Sequence, residues 1–108
     1  MKILFVENHS IFAKQVISCF LSAHEVIVLP SLATARACLA EDHFDAVLVD
    51  YDLDDGKGAE LVRELREQGS RLRIIDVSAH DRGNAALQQA GADAICSKMN
   101  FDHIQEIL

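Results

Sequence analysis

The sequence predicts a doubly wound α/β domain of three layers, with a parallel sheet between two layers of helices. Short apolar runs recur along the chain, at residues 3–6, 26–29, 46–49, 74–77 and 94–96. Each run is continuously apolar rather than alternating, which is typical of strands covered on both faces. The segments between the runs have helical spacing, and right-handed crossovers join such elements into this architecture.

Helices are expected after each of these strands. Asn8 or Ser10 can cap the first, and Ser31, after the single proline, can cap the second. The third ends near residue 69. The fourth, over about residues 82–90, is rich in alanine and has Leu87 as its large apolar anchor, so we expect it to be weakly packed and mobile. The last begins near Asn100 or Phe101 and is short.

Length and composition indicate one domain over residues 1–108. Half of the residues are apolar, which is enough for a packed core. The formal net charge of −7 argues against direct binding to nucleic acid or to an anionic membrane. An acidic chain of this kind suits a cation or a basic partner surface.

The cysteines and the N-terminus indicate a cytoplasmic protein. Cys19, Cys38 and Cys96 are scattered among apolar neighbours without Cys-x-x-Cys spacing, and we interpret them as reduced core thiols. The first apolar run reaches Glu7 after four residues, which is too short for a signal peptide or a membrane span.

Polar residues follow the apolar runs and predict a site at the carboxyl edge of the sheet, where ligands of such folds bind. They are Glu7, Asn8, Asp50, Asp52, Ser78 and Lys98. Carboxylates at this edge suit Mg²⁺. A carboxylate such as Asp50 can also attack phosphorus to form an aspartyl phosphate, with Lys98 neutralising charge and Ser78 donating to a phosphoryl oxygen.

Other binding motifs that this region suggests are excluded by their spacing. A calcium loop starting at Asp50 would need glycine at its sixth position and glutamate at its twelfth, where the chain has Asp55 and Leu61. The glycines around Lys57 lack the spacing of a phosphate-binding loop. The five histidines have no metal-ligand spacing, although His9 and His80 would flank the proposed site and could tune it.

The chain resembles the receiver domain of two-component response regulators over essentially its whole length. The resemblance rests on residues 3–8, on residues 44–50 with Gly58 and Glu60, on residues 77–79, and on residues 90–93 leading to Lys98. It implies a (βα)5 sandwich with a five-stranded parallel sheet in the flavodoxin-like order 2-1-3-4-5.

The resemblance also implies a role for each site residue. Asp50 would be the phosphoacceptor, Ser78 the switch hydroxyl and Lys98 the phosphate partner. Glu7, Asn8, Asp50 and the backbone carbonyl of Asp52 would surround Mg²⁺. Implied partners are a sensor histidine kinase or phosphotransfer protein, and a downstream protein or output domain, with a possible dimer through the face from the fourth to the fifth helix. Any enzymatic activity would be limited to self-catalysed phosphotransfer and autodephosphorylation.

Four positions depart from the family pattern. Asn8 stands where a second acidic residue is usual, so we expect weaker Mg²⁺ binding. Asp54 and Met99 stand where prolines are frequent, and the Lys98–Met99 bond is expected to be trans because a cis bond before a non-proline residue costs about 2.5–4 kcal/mol. Ile95 replaces an aromatic residue that reorients on activation in many relatives.

Two further sets of charged side chains must be either paired or solvated: the carboxylate of Asp76 and the basic residues around the third helix. Asp76 interrupts a central strand, and a buried carboxylate must be paired, protonated or near a strand end; Arg71 or Arg73 could pair with it. The basic residues around the third helix, which also include Arg63 and Arg66, are interpreted as solvated charge on the helix face.

Two other functions remain open from the residues. One is a pseudo-receiver, the same fold acting as a phosphorylation-independent protein-interaction module, which Asn8, Ile95 and Met99 favour. The retention of Asp50, Ser78 and Lys98 favours phosphotransfer chemistry instead. The other is a small Mg²⁺-dependent phosphohydrolase, which the missing cap insertion and the lack of a second catalytic acid disfavour.

Overall fold

The computed structural model describes residues 1–79 and 81–108. Its strands are β1 Lys2–Val6, β2 Glu25–Leu29, β3 Ala46–Val49, β4 Asp52–Leu53, β5 Gly56–Lys57, β6 Arg73–Asp76 and β7 Ala94–Ile95. Its α-helices are α1 Ser10–Phe20, α2 Leu32–Glu41, α3 Gly58–Glu67, α4 Asp81–Ala90 and α5 Ile104–Ile107, and a 3₁₀ helix spans Lys98–His103. Within the described ranges, none of the helices has the length and apolar character needed to cross a membrane.

The main sheet is parallel and has the order β2-β1-β3-β6-β7. With β6 and β7 as the fourth and fifth predicted strands, this confirms the predicted order. β1 and β3 lie side by side, with Val6 opposite Val49, and β6 flanks β3 on its other side, with Val49 opposite Asp76. The ends of β1, β3 and β6 therefore meet at one edge of the sheet.

The two faces of the sheet bury separate hydrophobic cores, which confirms the three-layer arrangement. Leu4 and Val47 belong to the core shared with α2, α3 and α4. Phe5 and Leu48, their neighbours in sequence, belong to the core shared with α1 and the C-terminal helices. Successive strand residues point to opposite faces, so both must be apolar when both faces are covered. This is the physical reason for the continuous apolar runs.

The acidic segment after β3 forms a hairpin that the sequence analysis did not predict. β4 and β5 pair in antiparallel fashion. The Asp55 carboxylate accepts hydrogen bonds from the backbone amides of Leu32 and Ala33, at 2.7 and 3.0 Å, and so ties the turn to the start of α2. Lys57 forms an ion pair with Asp52. The hairpin is thus anchored at its turn and across its strands.

Helix ends differ from the predictions in two places. Ser31 caps α2 as predicted, accepting from the Thr34 amide at 3.2 Å. By contrast, α1 begins after His9 with no side-chain cap, so neither Asn8 nor Ser10 caps it. The final helix starts earlier than predicted, as the 3₁₀ helix, and is interrupted at Asn100 before α5 begins.

The three cysteines are free thiols, as expected for reduced residues. Cys96 is buried and Cys38 is partly buried, but Cys19 is exposed. The expectation of a core thiol is therefore wrong for Cys19, which lies on the outward side of α1.

Arg66 is a structural residue rather than a solvated charge. Its guanidinium donates to the carbonyls of Gly91, Ser70 and Leu72, at 2.8 to 3.0 Å, and to the carboxylate of Asp93 at 2.8 Å. Asp93 in turn accepts from the backbone amide of Ile74 at 2.9 Å. These bonds join the end of α3 to the segments that precede β6 and β7. The prediction of a solvated helix face is wrong for Arg66.

Asp76 is fully buried, and its carboxylate accepts hydrogen bonds from α4. With its amide nitrogen facing the carboxylate, Asn84 donates to both oxygens, at 2.8 and 3.1 Å. Arg73 instead donates to the carbonyl of Ile107 at 3.0 Å. The Asp76–Asn84 contact fastens α4 to the centre of the sheet.

Replacing Arg66 tests its structural role. Arg66→Lys keeps the charge but cannot reproduce the planar fork of donors, so we expect the free energy of unfolding to fall by about 2 kcal/mol. Urea denaturation would measure this change. Arg63→Lys, at an exposed position of the same helix, is the control and should stay within about 0.5 kcal/mol of the wild type. Equal effects of the two changes would contradict the assignment.

Candidate functional site

Asp50 lies directly beyond β3 and is 4% exposed. Its backbone amide donates to the carbonyl of Val6 at 3.0 Å, which extends the pairing of β1 and β3 by one residue. One carboxylate oxygen, Oδ1, accepts from the amide of Tyr51 at 2.9 Å. The carboxylate is therefore held in one orientation at the middle of the sheet edge.

Gly58, at the start of α3, allows the backbone to close behind Asp50. A Cβ atom built at Gly58 would lie 2.0 Å from the carbonyl oxygen of Asp50 and 2.7 Å from the Val49 side chain. No side chain fits at that distance, so the chain can return to α3 this tightly only with glycine. This explains why glycine stands at that position of the motif.

Lys98 and Glu7 complete a cluster around Asp50. Glu7 is 1% exposed. The Lys98 ammonium lies 2.8 Å from Oε1 of Glu7 and 3.4 Å from Oδ2 of Asp50. It also lies 4.9 Å from the centroid of the Phe12 ring, a cation–π distance. The structure thus brings these three predicted site residues together, with the ammonium nearer to Glu7 than to Asp50.

Burial raises the pKa of Asp50 to about 6. The nearby Glu7 carboxylate adds to the rise, while the Lys98 ammonium and the Tyr51 amide oppose it. At neutral pH the Asp50 carboxylate is mostly ionised, but it carries a charge that is poorly solvated and faces a second carboxylate. Added positive charge at this edge would relieve both costs.

Ser78 lies two residues beyond β6, at the same edge, and is 1% exposed. Its carbonyl accepts from the amide of Lys98 at 3.4 Å, while the amide of Val77 donates to Val49 at 2.8 Å. The first turn of α4 lies against it, because a Cβ atom at Gly83 would be 2.5 Å from the Ser78 hydroxyl. The hydroxyl is therefore in close contact with α4, which sequence reasoning did not foresee.

Asn8 lies beside the cluster and is bound on one side only. Its amide nitrogen donates to Oδ1 of Asp54 at 3.1 Å. Its amide oxygen is buried and has no hydrogen-bond partner among residues 1–79 and 81–108. The side chain of Asp52 forms an ion pair with Lys57 in the hairpin.

The donor set fits a divalent cation. Glu7, His9 and Asp50 each offer a ligand atom, and these atoms lie within 4.8 Å of one another. The His9 ring nitrogen Nδ1 is 3.1 Å from Oε2 of Glu7, which confirms that His9 flanks the site. Two desolvated carboxylates and an unpaired amide oxygen are the oxygen donors that Mg²⁺ prefers. His80 lies outside the described residues.

Two departures from the family pattern are visible at the end of the sheet. Met99 is 81% exposed and follows Lys98 through a trans bond, since the described residues contain no cis peptide. Ile95 is the last residue of β7 and is partly buried. The sequence analysis did not identify Asp54 and Gly83 as neighbours of the site. The signal for Asp54 was the absence of a frequent proline, and the signal for Gly83 was a glycine within a helical segment.

Comparison with known proteins agrees with this geometry. The family profile described as response regulator receiver domain matches residues 3–108. The two-component response regulator PhoP of Pseudomonas aeruginosa is 32% identical over 111 residues, covering 97% of this chain and 48% of PhoP. The chain therefore spans about half the length of the curated relative that it matches.

Solved structures show the same fold. The receiver domain of a sensor histidine kinase from Pseudomonas aeruginosa, crystallised with a magnesium ion in its active site cleft, has a TM-score of 0.87 and 24% identity, covering 98% of this chain and 92% of the other. The BeF3-activated N-terminal receiver domain of RstA from Klebsiella pneumoniae has a TM-score of 0.78 and 26% identity, covering 91% and 86%.

The raised pKa of Asp50 predicts a pH-dependent effect of its removal. Because the folded pKa of about 6 exceeds the ordinary value of 3.8, the folded state favours the protonated form, and this stability is lost as pH rises from about 4 to about 6. In chelator-treated buffer, Asp50→Asn should raise the free energy of unfolding by about 3 kcal/mol at pH 7 and by much less at pH 4.

Urea denaturation at the two pH values measures this difference. Asp102→Asn, which removes a carboxylate from an exposed position, serves as the control and should give no such pH-dependent gain. A gain for Asp50→Asn that is the same at both pH values would show that burial of the ionised carboxylate is not its cause.

Proposed function

This chain belongs to the response regulator receiver domain family, and on that premise we propose that it is a phosphoacceptor whose Asp50 is phosphorylated by a histidine kinase. The observation that carries the proposal is a buried, oriented Asp50 carboxylate 3.4 Å from the Lys98 ammonium. A nucleophile and the cation that would balance incoming phosphoryl charge thus stand side by side. Asp50 would act by nucleophilic catalysis, and Lys98 would stabilise the developing charge electrostatically.

The proposed reaction is an in-line displacement at phosphorus. An Asp50 oxygen attacks the phosphoryl group of a phosphohistidine, the P–O bond forms as the P–N bond breaks, and the electron pair leaves with the imidazole. Lys98 would shift from Glu7 toward the phosphoryl oxygens, and the Ser78 hydroxyl would donate to one of them. Held by Glu7, Asn8, Asp50 and the backbone carbonyl of Asp52, Mg²⁺ would neutralise the charge that develops during transfer.

The signal would leave the site through α4. Ser78 lies against Gly83 in the first turn of this helix, so a hydroxyl drawn toward a phosphoryl group would remove a contact that holds α4 in place. The consequence would be a population shift of α4 and β7, exposing a surface for a downstream protein or an output domain. Because Ile95 is not aromatic, this shift would proceed without an aromatic toggle.

An alternative is a phosphorylation-independent interaction module. The observation that favours it is the 2.8 Å ion pair between Glu7 and Lys98, which already neutralises one of the two buried carboxylates without any cation. A domain with this internal pairing could remain in one conformation and present a constant surface to a partner.

Intact mass spectrometry after incubation with Mg²⁺ and a small phosphodonor separates the two functions. We expect the wild type to gain one phosphoryl group and Asp50→Asn to gain none. Lys98→Ala should slow the gain by about tenfold or more, because a charge partner of the transferring group is lost. Lys57→Ala is the matched control, since Lys57 pairs with Asp52 rather than with Asp50.

Two outcomes of the phosphorylation assay would contradict the proposal. A wild type that stays unmodified, under conditions that modify an established receiver domain, would favour the interaction module. Modification of Asp50→Asn would instead show that the phosphoacceptor has been assigned to the wrong residue.

A further inference from the structure

We propose that Asp54 is a positioning residue for the cation site: its carboxylate holds the Asn8 amide in the orientation that leaves the amide oxygen free for a divalent cation. The inference deepens the proposed function, on which it rests for the identity of the cation as Mg²⁺. It assigns a joint purpose to two positions, Asn8 and Asp54, where this chain departs from its family.

The side-chain amide of asparagine has two nearly isosteric orientations, with nitrogen and oxygen exchanged. A carboxylate only accepts hydrogen bonds, so it can pair with the nitrogen end of the amide and not with the oxygen end. Asp54 accepts from the Asn8 nitrogen at 3.1 Å. It therefore selects one of the two orientations.

In the selected orientation the amide oxygen of Asn8 has an energetic cost. The amide oxygen of Asn8 is buried and has no hydrogen-bond partner among the described residues on either side of residue 80. A buried carbonyl oxygen without a partner costs about 1–3 kcal/mol. A bound divalent cation at this edge would satisfy the free lone pairs of the oxygen.

Without Asp54, the opposite orientation would be favoured. Glu7 and Asp50 are buried acceptors at the same edge of the sheet, and the amide nitrogen is the end of Asn8 that they attract. A nitrogen turned toward them would donate hydrogen bonds and would present no lone pair to a cation. Removing Asp54 would thus change a potential ligand into a competitor.

The position of Asp54 is itself fixed by the fold. It lies in the turn between β4 and β5, and the next residue, Asp55, is bound to the first two amides of α2. The turn is therefore held from one side by α2 while Asp54 reaches Asn8 from the other. Partners of this kind, which orient a metal ligand without touching the metal, typically contribute 10–100-fold to metal affinity.

Orientation and charge can be separated by experiment. Asp54 is exposed, so water and salt screen its charge, and the charge alone should contribute little to Mg²⁺ affinity. An asparagine at residue 54 loses the charge but can still accept from the Asn8 nitrogen, whereas an alanine loses both. The Asn8→Asp variant carries two equivalent oxygens at residue 8, so it has nothing to orient.

Isothermal titration calorimetry with Mg²⁺ alone, without a phosphodonor, provides the measurement. We expect Asp54→Ala to weaken Mg²⁺ binding about tenfold and Asp54→Asn to weaken it less. In the Asn8→Asp background, Asp54→Ala should leave the affinity within about twofold or tighten it, because it removes a like charge. Asp102→Asn, which removes one charge from an exposed position outside the hairpin, is the control and should stay within about twofold.

Thermal unfolding of each variant confirms that the comparison is made between folded proteins. An equal loss of affinity on Asp54→Ala in the wild-type and Asn8→Asp backgrounds would overturn the proposal, since charge alone would then explain it. A loss with Asp102→Asn as large as with Asp54→Ala, or a wild type that binds no Mg²⁺, would overturn it as well. If Mg²⁺ binds with the expected pattern and Asp50 accepts no phosphoryl group, this inference stands and the proposed function fails.

Discussion

The contact between two buried carboxylates, Glu7 and Asp50, is the constraint to which the rest of this edge responds. Parallel pairing of β1 with β3 places Val6 opposite Val49, so the residues that follow these strands must share one small space. Burial and mutual repulsion then raise the pKa of Asp50 to about 6. Lys98 offsets part of this cost, and a divalent cation is the natural remaining complement.

The same edge of the sheet also contacts α4. Ser78 lies against the first turn of α4 through the closely approaching Gly83, and Asn84, the next residue of that helix, holds Asp76. α4 is therefore joined to β6 by a polar contact and lies close against the segment after β6, while Leu87 and Ala90 bury its inner face in the core. A change of charge at the site would act first on the polar contacts at the start of this helix.

The exposed acidic hairpin after β3 is anchored by its own carboxylates. Asp52 pairs with Lys57, Asp54 with Asn8, and Asp55 with the start of α2. Each carboxylate of this run thus has a separate partner. A dense run of negative charge can therefore lie next to two buried carboxylates in the chain, because each of its own charges is bonded to a neighbouring donor.

The sequence by itself determined the fold class, because the periodicity of the apolar runs is a local property, and it determined the strand order through the family resemblance. It also determined that Glu7, Asp50, Ser78 and Lys98 converge, because each follows a strand and the parallel strands of this fold end at one edge of the sheet. It did not determine which side chains pair. The bonds of Arg66 to Gly91 and of Asp54 to Asn8 join residues 25 and 46 positions apart in the chain, and the bonds of Asp76 to Asn84 join a strand to the helix that packs on it. Such pairing depends on the packing of whole elements, so only the tertiary structure decided it.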